Sequence, residues 1–120
     1  MNTTENNKLI AEFMGARFRY LSYIDLDQYN FGKTDRTWKD NKDMHYHDSW
    51  DWLMHVVEKI ESLGAKVEIS TSPRNSRHYC EMRGYGFAHE WDDNKINAVY
   101  KAVVEFVKWY NNIKNRNNEK

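Results

Sequence analysis

An α+β domain is what this sequence predicts: one small antiparallel sheet of about three to four strands, with three helices, the two long ones on one face and a short N-terminal one on the other. Three observations carry that expectation. Residues 49–63 and 93–113 repeat apolar side chains at the period of an amphipathic helix. Residues 66–69 and 77–87 alternate instead, as half-buried strands do, and Ser72-Pro73-Arg74-Asn75 between them has the composition of a turn. No repeat, low-complexity tract or Gly/Ser linker divides the 120 residues, so 1–113 reads as a single domain. Residues 114–120, built from Lys, Asn, Arg and Glu, read as a disordered polar tail.

In chain order, Leu9, Ile10, Phe13 and Met14 share one helical face and Gly15 supplies a stop, which predicts the first helix over 4–14. Phe18 and Tyr20 alternate with Arg17 and Arg19, and Ile24 and Leu26 continue out of phase, as in a strand bulged near Leu21. From Asp27 to His47 no period is clear. Thr34, Arg36 and Trp38 fit a brief edge strand there, and an irregular stretch of that length is more often functional than decorative. The second helix, 49–63, has Asp48 or Ser49 as its cap and Gly64 as its stop. Its apolar residues, Trp50, Trp52 and Val56 among them, spread over roughly 200°, wider than the usual stripe. Val67 and Ile69 then form one strand and 77–87 its return, with Cys80 and Met82 on one face and Tyr79, Glu81 and Arg83 on the other. The last helix, from Asp93 or Asn94 to Ile113, buries Ile96, Val99, Tyr100, Val103, Phe106, Val107 and Tyr110, and Ala98 and Trp109 widen its arc as well. Two such arcs are expected to pack on each other as well as on the sheet.

Eighteen Lys and Arg balance 18 Asp and Glu, which excludes both a DNA-coating protein and an acidic DNA mimic. Within that balance Arg74, Arg77 and Arg83 gather in the hairpin, and Asp48 and Asp51 at the start of the second helix, as two patches of opposite sign. The lone Cys80 excludes an internal disulfide and fits a reducing compartment. With no apolar leader and no spanning run, the expectation is a soluble cytoplasmic protein without a membrane contact. His45 and His47, with His47, Asp51 and His55 spaced four apart, invite a metal reading, but His47 precedes the helix and no H-E-x-x-H or Cys/His spacing exists. His78, Cys80 and His89 are a weaker set. Cys80 alternates with Met82 and so is expected to be buried, which removes it as a nucleophile. The paired carboxylates (Asp25 and Asp27, Asp40 and Asp43, Asp92 and Asp93) stand where caps and turns want Asp. No phosphate-loop, dinucleotide or nucleophile-elbow motif occurs, so neither catalytic residues, nor a metal, nor a cofactor is expected.

One local match remains. Arg83-Gly84-Tyr85-Gly86-Phe87 reproduces the first five positions of the RNA-recognition-motif strand, whose aromatics stack on bases. The match then departs: Ala88 replaces Val, Glu90 replaces the second stacking aromatic, and nothing after Ile113 can form a fourth strand. It leaves an alternative reading, a single-stranded RNA or nucleotide-binding module that stacks through Tyr85 and Phe87 with Arg74, Arg77 and Arg83 in support.

Three blocks carry a resemblance: Lys8-Leu9-Ile10-Ala11-Glu12-Phe13-Met14-Gly15, Tyr46-His47-Asp48-Ser49-Trp50-Asp51-Trp52-Leu53-Met54, and the run from Ala98-Val99-Tyr100 through Lys108-Trp109-Tyr110-Asn111. The chain resembles small phage and prophage proteins of the phage ABA sandwich type across its three helices, while 16–44 and 66–90 match nothing. In that pattern a proline often follows the Leu-Met pair. This chain has His55 there, so a kink is expected to be missing. The resemblance implies a small sheet with helices on both faces and a mobile-element accessory protein. The chain is also similar in size and character to mobile-element inhibitors of RNA-targeting type VI-B CRISPR nucleases. The function this implies is a non-enzymatic counter-defence inhibitor, an anti-CRISPR, that binds a host RNA-guided nuclease or its RNA complex. Such a protein needs a surface of about 800 Å² with aromatic and Arg anchors. Tyr29, Phe31, Arg36 and Trp38 in the irregular segment, and Arg74, Arg77, Arg83, Tyr85 and Phe87 in the hairpin, are the anchors expected.

Overall fold

The computed structural model describes residues 3–31, 38–84 and 88–118. The helices end where their cap chemistry dictates. Helix α1 (Thr3–Phe13) closes with Ala16 N–H returning to the Ala11 carbonyl and Gly15 N–H to Glu12, a double closure that needs Gly15 at its φ of +96°. Helix α2 (Trp50–Ser62) opens after Ser49, whose Oγ accepts from Trp52 N–H at 3.5 Å, and runs unbroken through His55. Helix α3 (Lys95–Asn118) opens after Asn94, whose Oδ1 accepts from the N–H groups of Ile96 and Asn97. It does not stop at Ile113. The apolar period ends there, and on that ground the tail reads as disordered from Lys114, but Lys, Arg and Asn extend a helix that is already nucleated, and the backbone stays helical to Asn118.

The strands make two three-stranded antiparallel sheets among the described residues, not one. In the first, β1 (Arg17–Leu21), β2 (Leu26–Asn30) and β3 (Lys39–Asp40) lie in chain order. The phase break near Leu21 is therefore a tight turn and not a bulge: Ile24 N–H donates to Leu21 O, and Asp25 takes a left-handed φ of 48°. The first four residues of the stretch expected to be irregular, 27–30, thus belong to strand β2. Thr34 and Arg36 of the expected edge strand lie outside the described residues, and β3 begins just after Trp38. A 3-10 turn at Asn41–Asp43 follows β3.

In the second sheet, β4 (Lys66–Thr71), β5 (His78–Arg83) and β6 (Ala88–Asp92) also lie in order. The long return strand expected over 77–87 ends at Arg83, and the chain comes back as β6. Gly84, at φ +136°, sits where a Cβ would meet the Ala65 Cα at 3.0 Å, so the β5 end passes against the backbone that opens β4.

Register explains the burial. Val67 pairs with Met82 and Met82 with Ala88, and Ile69 with Cys80, so these five share the inner face, on which α2 and α3 pack side by side. Cys80 is buried there as expected, and burial pushes its thiol up to about 12, so it is no nucleophile at neutral pH. The wide arc of α3 has a second use. Helix α1 packs on α3, with the Phe13 ring edge-on to Phe106 at 6.4 Å and to Tyr110 at 5.3 Å. Lys59 of α2 donates to the Phe13 carbonyl and lies 4.6 Å over its ring, which ties all three helices together. The short helix is therefore laid on α3 and not across the other face of the sheet. On α2 the inner arc narrows to Leu53, Val56, Val57 and Ile60, and Trp50, placed in the buried arc by periodicity, is 41% exposed.

A buried polar network crosses this core. Asn7 of α1 accepts from the Tyr100 hydroxyl at 2.8 Å, and its Nδ2 reaches the Met44 carbonyl at 3.4 Å and His47 Nδ1 at 3.0 Å. It joins α1, α3 and the segment before α2.

Candidate functional site

The first sheet places its residues on two faces. Phe18, Tyr29 and Lys39 stand in register on one face, and Arg19, Gln28 and Asp40 on the other. Toward α2 the chain encloses a cleft of about 410 Å³ lined by Met14, Tyr29, Phe31, Lys39, Tyr46, Asp51, Trp52 and His55. Its walls are aromatic: Phe31 stands edge-on to Tyr29 at 5.5 Å, and Trp52 edge-on to Tyr46 at 5.1 Å. Tyr29 is 1% exposed, and its hydroxyl is a buried polar atom without a hydrogen-bond partner among the described residues. Burial, then the Asp43 carboxylate, raises the Tyr29 phenol, and burial holds that of Tyr46 well above its ordinary range, so both are neutral donors. Lys39, Asp51 and His55 are exposed at the rim.

The other face is a stacked polar surface. The Arg19 guanidinium lies 4.4 Å over the half-buried Trp38 ring and donates to Gln28 Oε1, while Arg17 lies 5.6 Å from the same ring and bonds Asn30 Oδ1 at 3.0 Å. At the end of this sheet the β1–β2 turn projects Tyr23, 79% exposed, with Tyr20 and Ile24 beside it at 57% and 52%. The Tyr20 hydroxyl donates to Asp25, which braces the tip.

The second sheet carries an aromatic trio on its outer face. Tyr79 pairs with Trp91, His89 stands two residues before Trp91 on the same strand and diagonal to Tyr79, and the rings sit between 4.8 and 5.7 Å apart. Arg83 is beside them but neutralised: its Nη2 is 2.7 Å from Glu81 and 3.8 Å from Glu68, and the bond to Arg83 holds the Glu81 carboxyl below its usual value. Arg77 pairs with Asp93 at 3.1 Å, and Asp48 is matched by His45 and His47. Within the two patches of opposite sign expected from the sequence, Arg77 and Arg83 thus have carboxylate partners, and Asp48 lies against two imidazoles.

Of the anchors expected, Tyr29 and Phe31 meet in the cleft, Trp38 underlies Arg17 and Arg19, and Arg74 stands exposed in the β4–β5 turn. Tyr29 is a wall rather than a protruding anchor. Arg74, Arg77 and Arg83 belong to the β4–β5 hairpin of the second sheet, apart from Tyr29, Phe31 and Trp38, and Arg36, Tyr85 and Phe87 lie outside the described residues. Tyr20, Tyr23, Tyr46, Trp52, Tyr79 and Trp91 were not among the anchors expected, and His89 entered only in the weaker metal set. The His89-Glu90-Trp91 alternation was the one available signal for the outer trio. His47 is held by Asn7 and Asp48, and among the described residues no group of three His, Cys, Asp or Glu converges to hold a metal. No helix there is long and apolar enough to cross a membrane. Neither a protein family, nor a curated protein, nor a solved structure matches the chain.

Proposed function

We propose that the protein is a non-enzymatic accessory protein of a phage or prophage that docks on a host RNA-guided nuclease in the cytoplasm and blocks it. The β1–β2 tip supports the docking: Tyr20, Tyr23 and Ile24 stay in water, although nothing in the fold requires apolar side chains at that turn. Aromatic side chains on a braced turn are what interface hot spots are made of. The mobile-element setting rests on the resemblance of the three helices, and the class of partner on the likeness in size and character to mobile-element inhibitors of type VI-B nucleases. Tagged protein from a host with active defence is expected to co-purify with a nuclease and to protect infecting phage. Tyr23→Asp with Ile24→Ser, both at an exposed turn, should change stability by no more than about 0.5 kcal/mol yet cut capture more than about tenfold. Wild-type protein that retains no nuclease, or a variant that retains as much as wild type, overturns the reading.

The outer trio favours a second reading, single-stranded RNA stacking on Tyr79, His89 and Trp91 with Arg83 alongside. A mobility shift with single-stranded RNA should then weaken with salt and be lost in Trp91→Ala. No shift at low salt excludes it.

A further inference from the structure

We infer that the free edge of β4, roofed by Trp50 and Met54 of α2, docks an extended segment of a partner protein, which joins the second sheet as a further strand. The site is separate from the Tyr23 tip and does not depend on the docking reading. Hydrogen bonding sets the first requirement. Ser72 N–H donates to the Arg77 carbonyl, and the same register runs back to Lys66 opposite Arg83. Ser70, Glu68 and Lys66 therefore bond β5, and the main-chain N–H and C=O groups of Val67, Ile69 and Thr71 point away from the sheet. Those outward groups have no hydrogen-bond partner among the described residues. Nor is the edge blunted: β4 is six residues long, without proline or bulge, and its inward side chains, Val67, Ile69 and Thr71, are uncharged.

The helix above sets the second requirement. Helix α2 lies over β4, at the margin of the sheet, and α3 over β5 and β6. At 100° per residue, Trp50 and Met54 stand on the flank of α2 opposite Trp52 and Lys59, which turn to the cleft and to α1. Leu53, Val56 and Ile60 fill the core arc between these flanks, so Trp50 and Met54 come past the core on the β4 side and overhang its edge. Trp50 is 41% exposed there, and Val67 and Ile69 below are only half-buried. A strand that alternates apolar with polar residues would pair with the outward groups and lay its apolar residues between Trp50, Met54 and Ile69. Its polar residues would stay in water beside Lys66 and Glu68. A second copy does not fit. Paired strands lie about 4.8 Å apart, so two-fold pairing of β4 would bring two α2 helices to about 5 Å, where packed helices need about 8–10 Å. A lone extended segment brings no helix with it.

The probe is an acetylated peptide of about eight residues that alternates valine with threonine and ends in lysine, added to the full chain. A counterpart N-methylated at every residue, which cannot donate to a strand, is the comparison. Hydrogen exchange read by NMR should show the Val67, Ile69 and Thr71 amides open in the free monomer. The peptide should slow them about tenfold or more, with a Kd below about 1 mM. Trp50→Glu, in the exposed first turn of α2 where an acidic residue suits the helix, should weaken the peptide about tenfold. Thr71→Pro, which removes one outward N–H and leaves the β5 ladder intact, should weaken it as well. The inference is overturned if the peptide does not bind, if the N-methylated peptide binds equally, if both substitutions leave binding unchanged, or if sedimentation shows a dimer in which those three amides are already protected.

Discussion

Phe106→Ala is expected to cost about 3–5 kcal/mol of folding stability, a large part of the roughly 5–15 kcal/mol that holds a domain together. Phe106 is 1% exposed where α1 meets α3, edge-on to Phe13 and 5.5 Å from the Trp109 ring. Truncation removes the apolar surface that fastens α1 to the rest of the core, and the flanking rings cannot collapse into the void while Tyr110 and Phe13 hold each other edge-on. Urea unfolding should show the midpoint falling with an unchanged slope. Phe106→Leu, which keeps most of the volume, should cost less than half as much. A loss below about 1 kcal/mol for the alanine variant would mean that the α1–α3 contact is not close-packed.

Asn7→Leu is expected to cost about 2–4 kcal/mol, because it removes the side-chain donor to the Met44 carbonyl and leaves the Tyr100 hydroxyl only a long 3.5 Å bond to the Thr3 carbonyl, in an interior where an unmet polar group costs about 1–3 kcal/mol. Tyr100→Phe alone should cost about 1–2 kcal/mol, and the double variant less than the sum, since each single change orphans the other residue's partner. Additive losses would show that the two side chains do not act as a pair. The same network gives a pH signature. Burial pushes the Tyr100 phenol from 10.0 up to about 12, so its folded state favours the neutral form. That contribution is complete below pH 10 and is lost as pH rises toward about 12. Tyr100→Phe should flatten the alkaline loss of stability by this share, while the part due to Cys80, raised by the same cause, persists.

Local chemistry was legible along much of the chain. Gly15, Ser49, Gly64 and Asn94 mark helix ends because cap and stop chemistry involves only neighbouring residues. Cys80 and Met82 announce the inner face through alternation alone. The errors fall where one signal has two readings. A change of phase near Leu21 fits a bulge as well as a turn, and only the pairing of Arg17 with Asn30 decides for a hairpin. Trp50 shares the hydrophobic arc of α2, yet an arc does not say how much of itself a neighbour will cover.

The anchors suffered most from that ambiguity. An aromatic in an irregular stretch looks exposed, but Tyr29 lies in β2, where register turns it inward beneath Phe31. Arg77 and Arg83 look like a cationic patch until Glu81, two residues away on the same strand, and Glu68, across the β4–β5 pair, meet Arg83, and the loop ahead of α3 brings Asp93 to Arg77.

By itself, then, the sequence determined the α+β class, the three helices with their caps, the hairpin around Pro73 and the buried strand face, all consequences of contacts within a few residues. Tertiary structure alone decided that the strands divide into two sheets, that α1 rests on α3, and that Tyr29, Tyr46 and Trp52 wall one cleft. Those outcomes depend on which apolar surfaces meet across long separations, and hydrophobic burial has no direction of its own to record that choice in a local pattern.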